Sequence, residues 1–152
     1  RRLKGGRMIA AESSTPIARP AAEVFEFVAD LRNDPRWHTD ILEAHLTGEE
    51  PIGQGSIFAV KFKPFMGQSE GSVTVAKYEP PRRLELRGQM GKMAPTLTLS
   101  VEPQGDGSRF TRRVEMEPPG IMRLLAPFMK GTFRKQNAGF VENLKRVLET
   151  QP

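Results

Sequence analysis

The chain has 152 residues, of which 38% are hydrophobic, and it contains no cysteine. This length suits one domain with a continuous core, and the lack of cysteine excludes disulfides, thiolate nucleophiles and thiolate metal sites. No uncharged apolar run reaches the roughly 18 residues that span a bilayer, and the N-terminus has no apolar signal core. We therefore expect a cytoplasmic protein without stable membrane insertion.

The net charge of +5 is concentrated at the N-terminus. Four of the 23 basic residues lie within the first seven positions, where there is no acid, so the rest of the chain carries 19 basic residues against 18 acidic ones. We therefore expect residues 1–8 to form a disordered basic tail and residues 9–150 to form a single domain. Because the body is nearly neutral, we expect no nucleic-acid partner.

The first predicted elements are a strand, a helix and a connector. Residues 9–18 are typical of a strand, and Pro20 then stands where a helix begins, because proline is tolerated at the first helical position. Apolar residues recur at helical spacing until Asp34, where the following proline disfavours continuation. The connector at residues 35–40 is compact and is compatible with a short second helix.

Six alternating runs follow the connector and predict strands. They are joined by short links rich in glycine and proline, with no helix between them, so neighbouring strands should be antiparallel. The glycine pairs in these links lead into strands and not helices, which favours hairpin turns over phosphate-binding loops. The runs are residues 41–46, 56–62, 69–78, 83–90, 95–101 and 109–117.

The chain returns to helical periodicity at about Gly120. Pro127 interrupts the pattern early, so we expect the first turn or two to be kinked away from the main helix. A helix of some 20 residues is about 30 Å long, and it must therefore lie across the whole sheet. The apolar stripe of this helix is Met122, Leu125, Met129, Phe133, Gln136, Phe140, Leu144 and Val147.

The long helix and the sheet should enclose a gap, because a strongly curved sheet separates from a straight helix at its centre. Either large side chains or a ligand would occupy that gap, and the residues alone leave both open. The alternation also turns Arg112 inward, where a guanidinium needs an oxygen partner. That partner is a ligand oxygen, an internal acid such as Glu70 or Asp40, or water at the cavity mouth.

Several motifs stand in an order that is typical of one family. They are IARPAAEVFEFVAD at residues 17–30 with Trp37 after it, GQGS at 53–56, YEPPRRL at 78–84, GSRFT at 107–111 and NLKRVLE at 143–149. The chain resembles the START-like or SRPBCC superfamily in its polyketide cyclase/dehydrase and lipid-transport branch, over roughly residues 12–149. The resemblance implies an α+β helix-grip fold of the Bet v 1 type. In that fold a seven-stranded curved antiparallel sheet surrounds a long C-terminal helix, with two short helices after strand 1.

The function that the resemblance implies is binding of a small hydrophobic ligand of lipid, polyketide or aromatic type between sheet and helix. A first alternative is a polyketide cyclase, aromatase or dehydratase in the same cavity, and a second is a chaperone-stimulating interaction module. A homodimer through an exposed sheet edge is permitted. The residues expected to contact the ligand are Trp37, Phe58, Val60, Phe62, Leu86, Met90, Leu99, Arg112, Val114, Met129, Phe133 and Gln136.

The catalytic candidates, if a reaction takes place, are Arg112, His38 and Tyr78. His38 lies in the connector that borders the pocket entrance in this family, although we favour an orientation toward water, with Trp37 closing the end of the core. Tyr78 lies near a strand end, which favours a packing role.

Gln136 and the two histidines raise further questions. Gln136 interrupts the apolar stripe, and a buried amide there needs either a ligand or a structural partner. His38 and His45 lack the spacing and carboxylate company of metal ligands, so we expect no metal and no cofactor.

Overall fold

A computed structural model describes residues 8–151 of the chain. The predicted basic tail at residues 1–8 therefore lies outside the described residues except for Met8. The predicted helix-grip α+β fold is confirmed, because a seven-stranded antiparallel sheet is followed by one long C-terminal helix, with two short helical segments after the first strand.

The sheet has the spatial order β1-β7-β6-β5-β4-β3-β2, in which every neighbouring pair is antiparallel. Consecutive strands from β2 to β7 are neighbours, as short links require. The first strand instead pairs with the last, so β1 and β2 form the two edges. The strands are β1 Ile9–Ile17, β2 Ile41–Leu46, β3 Ile57–Phe65, β4 Gln68–Glu79, β5 Arg83–Gln89, β6 Thr96–Gln104 and β7 Gly107–Met116.

The helical segments differ in detail from the sequence pattern. Helix α1 covers Ala21–Ala29 and ends at Asp30, whose extended backbone begins a separate 3₁₀ helix at Leu31–Arg36. The Asp30 carboxylate accepts a hydrogen bond from the backbone N–H of Arg32 at 3.1 Å, which caps this second segment. The predicted first helix is therefore two segments, because the aspartate offers the chain a local cap before Pro35 is reached.

The C-terminal helix α2 covers Ala126–Thr150 and follows a second 3₁₀ helix at Gly120–Leu125. Pro127 lies in the first turn of α2, where its missing N–H breaks no helical hydrogen bond. The expected kink is thus a junction between 3₁₀ and α geometry. Among residues 8–151, no helix combines the length and apolarity needed to cross a bilayer.

Helix α2 packs mainly along β1 and also reaches β7. Its buried residues include Val141, Leu144 and Leu148, which belong to the main hydrophobic core. Polar contacts hold its end in place: Glu149 accepts a hydrogen bond from the Ala18 N–H at 2.8 Å, and Lys145 donates to a β1 carbonyl at 2.8 Å. The helix therefore lies on the inner face of the sheet, along the edge that β1 and β7 form.

Shortening Leu144 tests the docking of α2 on the sheet. Leu144 is completely buried, so Leu144→Ala should lower the free energy of unfolding by about 2–5 kcal/mol through lost contacts and a cavity. Exposed Glu142 lies on the same helix, and Glu142→Ala should change stability by less than about 0.5 kcal/mol. Urea unfolding of both variants measures the difference, and equal losses would contradict the docked arrangement.

Candidate functional site

A buried arginine is the centre of the polar cluster inside the fold. Alternation along β7 turns Arg112 inward between Phe110 and Val114, and only 5% of its surface is exposed. Its guanidinium donates a hydrogen bond to Oδ1 of Asn137 on α2, and Nδ2 of Asn137 donates to the Arg112 carbonyl at 3.1 Å. This reciprocal pair joins the sheet to the C-terminal helix.

Aromatic rings enclose the Arg112 guanidinium on two sides. Its central carbon lies 5.6 Å from the ring centroid of Phe140 and 5.9 Å from that of Trp37, which are cation–π distances. The His38 ring stacks on Phe140 with centroids 4.0 Å apart and planes at 20°. Trp37 in turn meets Phe110 edge to face, at 5.9 Å between centroids. The cation therefore lies among apolar faces and has few polar partners.

The connector after α1 brings three of these groups together. The backbone N–H groups of Trp37 and His38 both donate to the Asp34 carbonyl, at 3.0 and 2.7 Å. This tight turn places the side chains of Asp34, Trp37 and His38 next to one another. Asn143 on α2 donates to the Trp37 carbonyl at 3.2 Å and holds the turn against the helix.

Two buried nitrogens in this cluster have no hydrogen-bond partner among residues 8–151. They are Nε1 of Trp37 and Nδ1 of His38. The Trp37 indole lowers the pKa of Asp34 slightly, but its N–H has no acceptor at hydrogen-bond geometry. Because buried polar atoms are normally paired, two orphaned atoms beside one buried cation mark an incomplete polar site.

Burial controls the ionisation of the cluster. Desolvation raises the pKa of Asp34 to about 8, although the positive charge of Arg112 opposes the shift. Desolvation also lowers the pKa of Arg112 to about 10, so the guanidinium remains charged at neutral pH. The pKa of His38 falls well below its usual value, first through burial and then through repulsion by Arg112. Neutral forms of Asp34 and His38 are therefore favoured around one retained cation.

Most residues predicted to contact a ligand lie on the inner face of the fold. The buried ones are Trp37, Phe58, Val60, Phe62, Leu86, Leu99, Arg112 and Val114. Met90, Met129 and Phe133 are half-buried. Whether these residues contact a ligand stays a prediction.

The prediction that Gln136 faces the interior is wrong, because its side chain is exposed. The buried amide of α2 is the next residue, Asn137, which the stripe placed only at its margin. A one-residue step turns a helical side chain by about 100°, and the contacts with Arg112 decide which amide faces the sheet.

The expectations for His38 and for the acid partners of Arg112 are also corrected, whereas the packing role favoured for Tyr78 agrees with its contacts. His38 stacks on Phe140 and does not face water. The expected acid partners of Arg112 are not used, since Glu70 is exposed and Asp40 lies 3.9 Å from Lys63. Tyr78 packs edge to face against Phe25 of α1, at 5.6 Å between centroids. It lies on β4, three strands away from the strand that carries Arg112.

Sequence reasoning missed Asp34 and Phe140 as members of the cluster. The spacing of Asp34, Trp37 and His38 within five positions was the available signal for the first, because a 3₁₀ turn brings such residues to one side. Phe140 was assigned only to the apolar stripe, and nothing in the sequence pairs it with a histidine.

A separate groove of about 430 Å³ lies beside the start of β6 and the end of β7. Its lining includes Thr96, Glu115, Met116, Pro118 and Arg123, and it contains none of the residues predicted to contact a ligand. The lining combines charged and apolar groups and is open to solvent, so this groove is distinct from the buried cluster around Arg112.

Comparison with known proteins decides the family. A family model described as "Polyketide cyclase / dehydrase and lipid transport" matches residues 8–149. The chain belongs to this family. The match includes every strand, both helices except for the last residue of α2, and the whole Arg112 cluster, so the resemblance predicted from the motifs is confirmed. No curated protein sequence matches the chain.

Several solved structures have the same fold as this chain, although their sequence identity to it is low. TTHA0849 from Thermus thermophilus has a TM-score of 0.72 and 13% identity, over 93% of this chain and 99% of that one. The structure of Ara h 8.0201 has a TM-score of 0.69 and 15% identity, over 95% and 99% of the two chains. DynU16, from the dynemicin biosynthetic locus, has a TM-score of 0.65 and 22% identity over 93% of this chain. The chain spans about half of DynU16, 47% of its length.

Replacing the Asn137 amide tests the central hydrogen bond. Asn137→Leu removes the acceptor from a buried cation and should lower the free energy of unfolding by about 1.5–3 kcal/mol. In Arg112→Met/Asn137→Leu no charged group is left without a partner, so the double variant should be more stable than Asn137→Leu alone. Urea unfolding of Asn137→Leu, Arg112→Met and the double variant measures this difference, and a double variant that loses the sum of both single effects would contradict the pairing.

The raised pKa of Asp34 predicts a pH dependence of stability. The pKa of Asp34 in the folded protein is about 8, against an ordinary value of 3.8. Between these pH values the folded protein keeps a proton that the unfolded chain releases. The free energy of unfolding therefore falls as the pH rises from 3.8 to about 8. His38 has the opposite effect, but only below its ordinary pKa of 6.5.

The window from pH 6.5 to 8 therefore isolates Asp34. There the unfolding free energy of the wild type should fall by up to about 1.4 kcal/mol per pH unit relative to Asp34→Asn, which stays uncharged. Denaturant unfolding at several pH values tests this, and parallel curves for the two proteins would refute it.

Proposed function

We propose that the protein binds a small hydrophobic ligand that carries a carbonyl or anionic oxygen, in the space between the sheet and α2. The observation that carries the proposal is the Arg112 guanidinium, buried in an aromatic enclosure beside two unpaired nitrogens. A ligand oxygen near Arg112 would supply an acceptor that the protein itself provides only through Asn137.

The apolar part of the ligand would lie against the inner face of the sheet. Strand register places Leu86, Leu97 and Val114 side by side on that face. Leu97 is half-buried, although both neighbours are buried, and Met129 and Phe133 on α2 are half-buried as well. Half-buried apolar groups on both walls favour an accessible gap toward the N-terminal end of α2, since a closed core would bury them.

Membership of the family also supports a function that involves binding of a small apolar molecule. The family's description names polyketide cyclisation, dehydration and lipid transport. Each of these functions requires an apolar small molecule to enter the fold. Neither the family nor the neighbouring structures favour the chaperone-stimulating alternative.

An enzymatic alternative, cyclisation or dehydration of a polyketide-like chain, is favoured by one specific observation. Asp34, with a pKa of about 8, and His38, with a lowered pKa, lie in one cluster. A protonated carboxyl group and a neutral imidazole are a general acid and a general base at neutral pH. Arg112 would then stabilise negative charge that develops on a substrate carbonyl oxygen.

Titration with cis-parinaric acid, a fluorescent fatty acid with an apolar chain and a carboxylate, tests the binding proposal. The wild type should bind it with saturation, and Arg112→Met should weaken binding by roughly tenfold or more, because a charge-assisted hydrogen bond is lost. Leu97→Trp should reduce binding by filling the gap from the β6 wall. Leu42→Trp is the matched control, because Leu42 is 54% exposed on β2.

Unchanged affinity in both Arg112→Met and Leu97→Trp would refute the proposed location. Thermal unfolding of each variant shows whether the fold persists, and Leu97→Trp keeps the test valid if Arg112→Met fails to fold. Native mass spectrometry of the purified protein then identifies any ligand carried from the cell. With that ligand, Asp34→Asn and His38→Ala separate the two functions, since a carrier loses only affinity and an enzyme loses turnover.

A further inference from the structure

An exposed apolar surface lies at the start of the C-terminal helix, outside the Arg112 cluster. Leu124 and Leu125 end the second 3₁₀ helix, and Phe128 lies in the first turn of α2. Their exposed fractions are 74%, 46% and 80%. Scattered apolar residues are common on protein surfaces, but three large ones within five positions form a continuous patch.

Helix geometry places this patch on the face of α2 that is opposite to the proposed ligand site. Nine residues separate Phe128 from buried Asn137, and at about 100° per residue this places them on opposite faces of α2. Lys135 follows Phe128 by seven residues and lies on the same outward face. The patch therefore projects away from the protein interior, and the proposal below does not depend on any ligand inside the fold.

The segment of chain that carries the patch has only positive charge. From Pro118 to Val141 the chain has four basic residues and no acid. Arg123 lies 3.7 Å from Glu117 and is partly neutralised. Arg134 and Lys135 are exposed and form no ion pair within residues 8–151. Lys130 precedes Asn137 by seven positions and therefore lies on the inward face of α2.

We propose that the surface formed by Leu124, Leu125, Phe128, Arg134 and Lys135 docks on an anionic lipid membrane. Exposed apolar side chains beside unpaired cations are the combination that binds a lipid interface, where apolar groups enter the acyl boundary and cations meet phosphates. The binding is peripheral, since the apolar part is one short turn. The surface is called the basic apolar surface below.

Two other occupants fit the basic apolar surface less well. A second copy of the chain, related by a two-fold axis, would bring identical sets of cations together without an acid from this surface to compensate. A nucleic acid would pair with the cations but would leave Leu124 and Phe128 against a polar backbone.

Vesicle co-sedimentation at low salt tests the proposal with the full chain. The protein should bind phosphatidylcholine vesicles that contain phosphatidylserine, bind pure phosphatidylcholine vesicles at least tenfold more weakly, and release as salt is raised. Equal binding to both vesicle types, or no binding to either, would overturn the proposal.

Paired variants locate the docking surface. Phe128→Ser should weaken vesicle binding roughly tenfold, because the largest inserting side chain is removed. The control Leu42→Ser changes an exposed leucine on β2 and should leave binding unchanged. Equal losses in the two variants would show that exposed apolar residues act without regard to position, and would overturn the proposal.

A charge-matched pair tests the cations. The double variant Arg134→Gln and Lys135→Gln should weaken binding at least tenfold, because each cation contributes separately. The double control Lys61→Gln and Arg82→Gln changes the same net charge at exposed sites elsewhere and should have little effect. Equal losses would mean that net charge alone is responsible and would overturn the docking surface.

Two further measurements distinguish the membrane from a nucleic acid and from a second copy of the chain. Binding to a DNA duplex at the same salt without binding to anionic vesicles would replace the membrane with a nucleic acid. Concentration-dependent dimers that Phe128→Ser abolishes, again without vesicle binding, would replace it with a second copy. Monomers that bind neither DNA nor neutral vesicles but sediment with anionic vesicles support the proposal.

Discussion

The structure depends on how one buried positive charge is accommodated. Arg112 is inside because β7 alternates, and three apolar residues of the same strand must face the core with it. The Asn137 amide and two aromatic faces offset the cost of burying the guanidinium. These partners come from the connector, the last strand and the last helix, so one side chain fixes the relative positions of all three.

The same constraint determines the charge state of the groups around Arg112. Desolvation keeps Asp34 and His38 in their neutral forms beside a guanidinium that stays charged at neutral pH. Water would supply hydrogen bonds to these groups at a surface, but the aromatic rings exclude much of it here. A polar atom on an otherwise apolar molecule would find an environment that is already oriented toward it, which is what the proposed binding requires.

Much of the fold was predictable because it rests on local patterns. Alternation located the six strands after the connector to within a few residues, and it also placed Arg112 on the inner face. The site was less predictable, because Asn137 and Phe140 reach it by helix rotation relative to the sheet. A stripe spaced by three and four residues accommodated Gln136 as well as Asn137, and only the reciprocal bonds to Arg112 choose between them.

The pairing of the first strand with the last also governs how the chain acquires its structure. Ile9 lies opposite Met116, and α2, which closes the interior, packs on β1 after both strands. Contacts so distant in sequence form late, since the loop that they close is long. While the chain is being synthesised, its inner apolar surface and Arg112 stay exposed until α2 leaves the ribosome. Aggregation of incomplete chains is therefore most favoured during this interval.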